Sequence, residues 1–319
     1  MKLLSFKPIR FVPAGTKFHF VAHWRIALVE TIALAIAAVV LLSTVGLNLG
    51  IDFRGGTMIE VRTKDGPADI TAIRTTLNTL GLGEVQIQQF GGPREVLIRV
   101  EEQPGGEAAQ QGTANRVQAA LGGNVEIRRV EVVGPTVSGE LVRSAITALG
   151  VAALGIFVYI WFRFEWQFSV SAIIALWHDV VATVVLFAIF QLEFDLSIVA
   201  ALLTLIGYAV NDTVVTFDRV RENLRKYKRM PLGELIDRSV NETLSRTAMT
   251  AGAVLITLVA LFIFGGPVIR GFILAMLFGM VVSTYTSMFV AAPLLYMTGV
   301  KRDWSGIADS RAKATTSRA

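Results

Sequence analysis

Carboxylates inside long apolar segments are the residues of this sequence best suited to chemistry. Asp212 lies near the end of one such segment, and Asp179 lies near the middle of another. A charged side chain at mid-bilayer costs roughly 2.5–3.5 kcal/mol on insertion scales, so it is seldom retained without a use. A carboxylate there is better neutral unless it is paired or hydrated. We therefore interpret Asp212 as a group that loads and releases protons.

Polar side chains accompany Asp212 along its segment. Four of them recur at intervals of four residues, which places them on one face of a helix: Thr204, Tyr208, Asp212 and Thr216. Asn211 and Thr213 flank the carboxylate, and a basic segment follows the stripe. The stripe favours a proton path toward that basic side. The alternative is that Asp212 only hydrogen-bonds a neighbouring helix and never changes charge.

His178 and Asp179 are a second polar pair within an apolar segment, and Thr183 shares a helical face with Asp179. Imidazole titrates near neutrality, so the pair could be a second proton-bearing site. A buried, hydrogen-bonded pair that only fixes helix contacts is an equal alternative. The sequence has no cysteine and few histidines. No metal site and no cofactor are expected, because the predicted spans supply only one histidine and two well-separated aspartates as ligands.

Three further polar features lie at or within apolar segments. Arg246 opens one segment, where it either extends to the interface or supplies a counter-charge to an ionised aspartate. Glu30 lies near the start of the first segment, and we expect it to reach the interface. Five consecutive hydroxyl side chains at 283–287 cannot all be hidden from lipid by one helix face. Part of that cluster is expected to face a helix bundle.

Composition and charge indicate a multi-pass membrane protein. The 319 residues are 53% hydrophobic and only 17% charged, below the ~25% of soluble domains. The net charge of +5 comes from basic residues that flank apolar segments on one side. It does not form a basic patch on a folded domain, so no nucleic-acid partner is expected. The absence of cysteine excludes disulfides and thiolate catalysis.

Six apolar runs are long enough to cross about 30 Å of hydrocarbon as helices. The predicted spans are 26–47, 144–162, 168–190, 196–217, 247–269 and 271–297. The first is read as a retained signal anchor, because it is longer than a cleavable signal region. The positive-inside rule places segments 1–25, 218–246 and 298–319 in the cytoplasm and 48–140 in the periplasm of an inner membrane.

The outer segment 48–140 is predicted to be a small α+β domain. Alternating strand patterns occur at 58–62, 85–90, 96–100 and 125–133, and helical spacing occurs at 69–80 and 107–121. This βαββαβ order is that of the ferredoxin-like fold. On the other side, the segment after Pro231 has helical spacing. It predicts an amphipathic helix lying on the inner membrane face.

Several motifs resemble those of the SecD/SecF protein-export family, related to the resistance-nodulation-division transporters. The first lies just outside the first span and contains Gly50, Asp52, Phe53, Arg54, Gly55 and Gly56. The others are His178-Asp179, the segment 207–224 and the segment 243–247. The Asn-Asp-Thr sequence at 211–213 resembles the SecF branch rather than the SecD branch.

The resemblance implies a subunit that promotes protein secretion with the proton-motive force. It implies SecD and the SecYEG channel as partners, allows YajC as another, and adds the translocating preprotein and membrane lipid as contacts. In the family, the aspartate of the fourth span and the arginine of the fifth are assigned to proton passage. By motif these are Asp212 and Arg246. No enzyme activity is implied.

Three other functions remain open on the residues alone. A proton-coupled small-molecule transporter of the resistance-nodulation-division type would need a ligand pocket, and the outer segment offers few aromatic residues to line one. An intramembrane hydrolase built on His178 and Asp179 would lack a nucleophile. A purely structural scaffold would leave Asp212 without a role in proton transfer.

Overall fold

The structure is a computed structural model, and it describes residues 16–83, 85–266 and 268–300. The first elements in chain order are α1 (Trp24–Thr44), β1 (Asn48–Leu49), α2 (Ile51–Arg54), β2 (Gly56–Thr63), α3 (Ile70–Asn78), β3 (Val85–Gln89), β4 (Glu95–Val100), α4 (Gly106–Leu121) and β5 (Val125–Val133). The remaining elements are α5 (Pro135–Arg163), α6 (Trp166–Ile189), β6 (Glu193–Phe194), α7 (Leu196–Lys226), α8 (Leu232–Phe264), α9 (Arg270–Thr286), a π-helical turn (Ser287–Ala291) and α10 (Ala292–Met297). Segments 1–15 and 301–319, which the sequence places in the cytoplasm, lie outside the described residues.

Six helical segments of the described chain are long and apolar enough to cross a membrane. They are α1 with the turn before it, α5, α6, α7, α8, and α9 continued through the π-helical turn into α10. The segments of α6, α7 and α9 are half or more buried and form the centre, whereas α1, α5 and α8 are mostly exposed. Many exposed side chains of these outer helices are large and apolar, so these helices suit contact with lipid or with another membrane protein.

The outer segment folds as the predicted α+β unit. In its described part, four strands pair antiparallel in the order β3-β4-β2-β5, and their apolar side chains form a core with α3 and α4. The element order is βαββαβ and is compatible with the ferredoxin-like split βαβ unit. Asp69 caps α3, because its carboxylate accepts hydrogen bonds from the backbone N–H groups of Thr71 and Ala72 at 3.0 Å.

Two element boundaries differ from the sequence-based expectation. The helix predicted from residue 144 begins at Pro135, so the last residues assigned to the outer domain belong to α5. The segment after Pro231 is not a separate helix on the membrane face, because Leu232–Phe264 is one continuous helix. The apolar side chains of its first turns pack in the protein core instead: Leu235, Ile236 and Val240. A change from amphipathic to apolar composition does not end a helix, since backbone hydrogen bonding continues across it.

A short contact joins the outer domain to the turn between α6 and α7. β1 pairs in parallel with β6, and the backbone N–H of Gly50 donates to the Phe194 carbonyl at 2.9 Å. The Asp52 carboxylate accepts from the Leu196 N–H at 2.8 Å, at the first residue of α7. The segment that contains the first family-like motif therefore positions the outer domain against the N-terminal start of α7.

Candidate functional site

Asp212 lies within the bundle on α7 and is 4% exposed. The side chain of Thr250 on α8 lies against both Asp212 and Tyr208. Arg246 lies one turn earlier on α8, where its own side chain is exposed and its charge acts on Asp212. The Thr250 hydroxyl also donates to the Arg246 carbonyl at 3.1 Å. One face of α8 thus brings a hydroxyl and a positive charge to the carboxylate.

The predicted polar stripe of α7 divides into a packed half and an open half. Thr213 and Thr216 are buried, and the Thr216 hydroxyl lies 3.5 Å from that of Thr243 on α8. Thr204 and Asn211 are exposed on the outside of the bundle. Together with exposed Arg246, they give this chain an uncovered polar face at membrane depth. Polar side chains facing lipid are unfavourable, so this face suits contact with another protein.

Close packing of α7 against α9 holds the stripe in place. Gly279 on α9 leaves room for Leu205, because a Cβ atom at residue 279 would lie only 2.5 Å from the Leu205 Cδ2 atom. Small residues of this kind let membrane helices approach closely. The position of Asp212 is therefore fixed by a backbone-to-side-chain contact two turns away.

His178 and Asp179 are buried on α6 as adjacent members of a second cluster. The Nδ1 atom of His178 lies 3.0 Å from the Thr286 hydroxyl and 3.7 Å from the Asp179 Oδ1 atom. The Thr183 hydroxyl donates to the Asp179 carbonyl at 2.9 Å, so it satisfies backbone rather than the carboxylate. The Ser283 and Thr286 hydroxyls on α9 lie within hydrogen-bonding reach of the Asp179 side chain. Part of the hydroxyl cluster thus faces the bundle, as expected.

Sequence reasoning missed one member of this second cluster. Glu30 on α1 faces the bundle rather than the aqueous interface, and its carboxylate accepts a hydrogen bond from the Tyr285 hydroxyl on α9. Its Oε1 atom lies 4.0 Å from the Nε2 atom of His178. The signal available was an acid inside an apolar segment, but its closeness to the start of the helix favoured an interfacial position.

A small cavity lies between the Asp212 helix and the His178 cluster. Its lining includes Asp179 on α6, Thr213 on α7 and Thr286 on α9, and its volume is about 10 Å³. That is about the space needed for one water molecule. Within the described residues, no group of three or more His, Cys, Asp or Glu side chains is placed to hold a metal ion.

The first family-like motif lies apart from both clusters and serves as a structural joint. Gly50 pairs with β6 as described, and the ring of Phe53 packs against Phe194 with centroids 6.1 Å apart. Arg54 ends the short helix α2. Gly55 and Gly56 follow with φ angles of +74° and +116°, which favour glycine. These angles turn the chain from α2 directly into the central strand β2.

Comparisons with known proteins place this arrangement in a family. The model of the "SecD/SecF GG Motif" matches residues 40–66, and that of "Protein export membrane protein SecD/SecF, C-terminal" matches residues 113–301. The chain is 46% identical to protein translocase subunit SecF of Rhodobacter capsulatus, covering 92% of this chain and 93% of that one. It is 41% identical to protein translocase subunit SecDF of Brucella abortus, covering 92% of this chain and 39% of that one.

Solved structures show the same likeness. The chain matches the crystal structure of SecDF, a translocon-associated membrane protein from Thermus thermophilus, with 34% identity and a TM-score of 0.80. It also matches SecDF in a super-membrane-facing form, with 32% identity and a TM-score of 0.66. The matches cover 91% and 98% of this chain, but only 40% and 41% of the SecDF chains. The chain therefore spans about two fifths of those proteins.

Proposed function

The chain belongs to the SecD/SecF family of protein-export membrane proteins, and from that premise we propose that it works as the SecF subunit of a bacterial protein translocase. The observation that carries the proposal is the 46% identity to a SecF subunit over nearly the full length of both chains. The proposal assigns the chain a transport role in the inner membrane and no catalytic step of its own. The N- and C-termini are placed in the cytoplasm and residues 48–140 in the periplasm, on the distribution of basic residues.

The SecD partner is supported by the relatives in which both parts are one chain. The Brucella relative is named SecDF, and this chain matches about two fifths of it. The uncovered polar face of Thr204, Asn211 and Arg246 is a suitable contact for a SecD subunit. In cells that lack SecD, we expect this chain to be degraded faster. An unchanged half-life there would contradict an obligate pair.

The SecYEG channel, YajC and the translocating preprotein follow from the family alone. The cavity between the outer domain and the membrane body has a volume of about 560 Å³, and four charged side chains contribute to its lining: Arg54, Arg99, Glu101 and Glu102. Small-molecule pockets are mostly apolar. This polar cavity therefore gives no support to a small-molecule site between the outer domain and the membrane body.

The proposed energy source is the proton-motive force, with Asp212 as the proton-binding group and Arg246 as its counter-charge. His178 and Asp179 are assigned to the same relay. Moving one charge through 100 mV releases about 2.3 kcal/mol, so a few protons are enough to shift a balance between two conformations. Asp212 is suited to this role because it is buried, touches Thr250 and lies within the influence of the Arg246 charge.

The test is export of a secreted reporter into inner-membrane vesicles, with and without an uncoupler. Asp212→Asn keeps the size of the side chain but cannot ionise, so it should abolish the uncoupler-sensitive part of export while insertion and partner binding persist. The matched control is Asp218→Asn, on the same helix, where the exposed carboxylate pairs with Arg163 at 3.1 Å. Full uncoupler-sensitive stimulation in Asp212→Asn would overturn the assignment.

A further inference from the structure

His178 has a carboxylate oxygen opposite each of its ring nitrogens. Glu30 Oε1 lies 4.0 Å from Nε2, and Asp179 Oδ1 lies 3.7 Å from Nδ1. We propose that Glu30, His178 and Asp179 form a second proton-binding site, in which one imidazolium ring bridges a carboxylate of α1 and a carboxylate of α6. Its use in a proton-driven cycle rests on the proposed function, whereas its protonation does not.

The number of N–H groups that an imidazole ring can donate supports this site. A neutral ring carries one N–H and can donate to one side only, whereas an imidazolium donates to both. The His178 side chain is 4% exposed, and its Nε2 atom has no hydrogen-bond partner among the described residues. The Asp179 Oδ1 atom is likewise buried without one in the described part of the chain. One added proton would let the Nε2–H group donate to Glu30 and the Nδ1–H group, which now lies nearest the Thr286 hydroxyl, donate to the Asp179 Oδ1 atom after a small approach of the three side chains.

The net charge of the cluster within the bilayer also favours the uptake of a proton. With a neutral ring and two ionised carboxyl groups, the cluster would hold two negative charges within the membrane. The groups that face His178 are Glu30 from α1, Asp179 from its own helix, and Tyr285 and Thr286 from α9. None of these four carries a positive charge. Proton uptake therefore reduces the charge of the cluster, which is favoured where solvation is poor.

The end of α9 is shaped to hold the cluster together. Tyr285 donates to Glu30, and the next residue, Thr286, contacts His178 at 3.0 Å. The π-helical turn begins directly after them at Ser287, and the Phe289 ring stacks on Tyr285 with centroids 5.0 Å apart. Single π-helical turns occur frequently at functional sites. Tyr285 is thus a positioning residue that fixes the Glu30 carboxylate.

The site is connected to both functional parts of the chain. The cavity beside Asp179 is lined by Thr213, the neighbour of Asp212, so one water would link the second site to α7. Glu30 lies on α1, which leads at its far end to β1 and the outer domain. Proton occupancy would therefore set how firmly α1 is held to α6 and α9.

The experiment measures the protonation of His178 directly. The full chain, co-purified with its membrane partners and labelled with ¹⁵N-histidine, is placed in lipid nanodiscs and studied by NMR between pH 5 and 8. The His178 signal is identified by its loss in His178→Gln. We expect a doubly protonated ring in this range. In Glu30→Gln, the ratio of doubly to singly protonated ring at fixed pH should fall by about tenfold or more, the effect of removing one carboxylate partner.

Controls separate a proton site from a merely structural one. Thr31→Val on the same helix should leave the ratio unchanged, because the Thr31 hydroxyl donates to the Ala27 carbonyl of its own helix at 2.8 Å. Tyr285→Phe should lower the ratio less than Glu30→Gln. If Glu30→Gln does not fold, Asp179→Asn must lower the ratio from the other side. A ring that stays singly protonated down to pH 5, or a ratio unaffected by both carboxylate variants, would overturn the site.

The outcome is independent of the export assay. If Asp212→Asn keeps full uncoupler-sensitive export but the His178 ratio responds to Glu30→Gln, the proposed role of Asp212 fails and the second site stands. If His178 never takes the second proton while Asp212→Asn blocks uncoupler-sensitive export, the second site fails and the proposed role of Asp212 stands.

Discussion

Arg99 on β4 and Glu193 on β6 form an ion pair that ties the outer domain to the turn between α6 and α7. The Arg99 side chain is 10% exposed and that of Glu193 is 26% exposed, so water screens the pair only partly. Two residues after Glu193, the Asp195 side chain caps α7, the helix that carries Asp212. The pair therefore lies on one of the structural connections between the outer domain and the helix that carries the proposed proton site.

Breaking this pair from the arginine side should destabilise the protein. Arg99→Met leaves a partly buried carboxylate without its counter-charge, which we expect to cost about 1–3 kcal/mol. Adding Glu193→Gln removes that charge and should recover much of the loss. The measurement is a double-mutant cycle of thermal unfolding in detergent. Additive effects of the two substitutions would show that the pair is not coupled.

The same pair predicts a pH dependence. Burial raises the pKa of Glu193 above its ordinary value, and the Arg99 charge lowers it only in part. Since the folded-state pKa is raised, this group contributes stability that is present below its unfolded pKa and is lost as pH rises through the folded pKa. Glu193→Gln should flatten that part of a stability–pH curve measured from pH 4 upward. A curve with the same slope in the variant would assign the dependence to another group.

Gly56 should not tolerate a side chain. Its φ of +116° is rarely adopted by other residues, and an added Cβ atom would collide with the Val100 carbonyl on the paired strand β4. Gly56→Ala is expected to destabilise the outer domain by about 1–3 kcal/mol through backbone strain. Gly92→Ala is the matched control, because its nearest contact would be an ordinary 3.9 Å. Equal unfolding temperatures for the two variants would contradict the strain argument.

The outer domain was the part of the fold most open to prediction, because its strands and helices alternate as their periodicity requires. The six spans were visible for the same local reason. The contacts of Glu30 with Tyr285 and of Arg99 with Glu193 could not be predicted in this way. Each contact joins residues that are far apart in sequence, and a local sequence pattern does not identify the partner. The helix through 232–264 was divided too early, because hydropathy marks where a helix enters lipid rather than where it ends.

The topology predicts opposite labelling of two single cysteines. The chain has no cysteine of its own, so Asn78→Cys in α3 and Lys228→Cys between α7 and α8 each introduce one thiol. Both positions are exposed. A membrane-impermeant maleimide added to intact spheroplasts should label residue 78 only, and residue 228 should label after permeabilisation. Labelling of both residues from the same face would contradict the six-span topology.

Arg246 should affect proton coupling by both its charge and its shape. The Arg246 side chain on α8 is exposed, and its positive charge influences Asp212 on the neighbouring helix α7. Lysine keeps the charge but loses the forked guanidinium geometry, so Arg246→Lys should retain part of the uncoupler-sensitive export. Arg246→Met removes the charge and should retain less. The same vesicle assay used for Asp212 measures both.

A matched control for the arginine lies two turns earlier on the same helix. Arg238 is also exposed, and it pairs with Glu242 at 2.9 Å rather than acting on Asp212. An exposed ion pair of this kind is screened by water and contributes little, so Arg238→Met should leave coupling unchanged. If Arg246→Met exports as well as Arg238→Met and remains uncoupler-sensitive, the counter-charge role fails. Arg246 would then be a residue that only extends to the membrane interface.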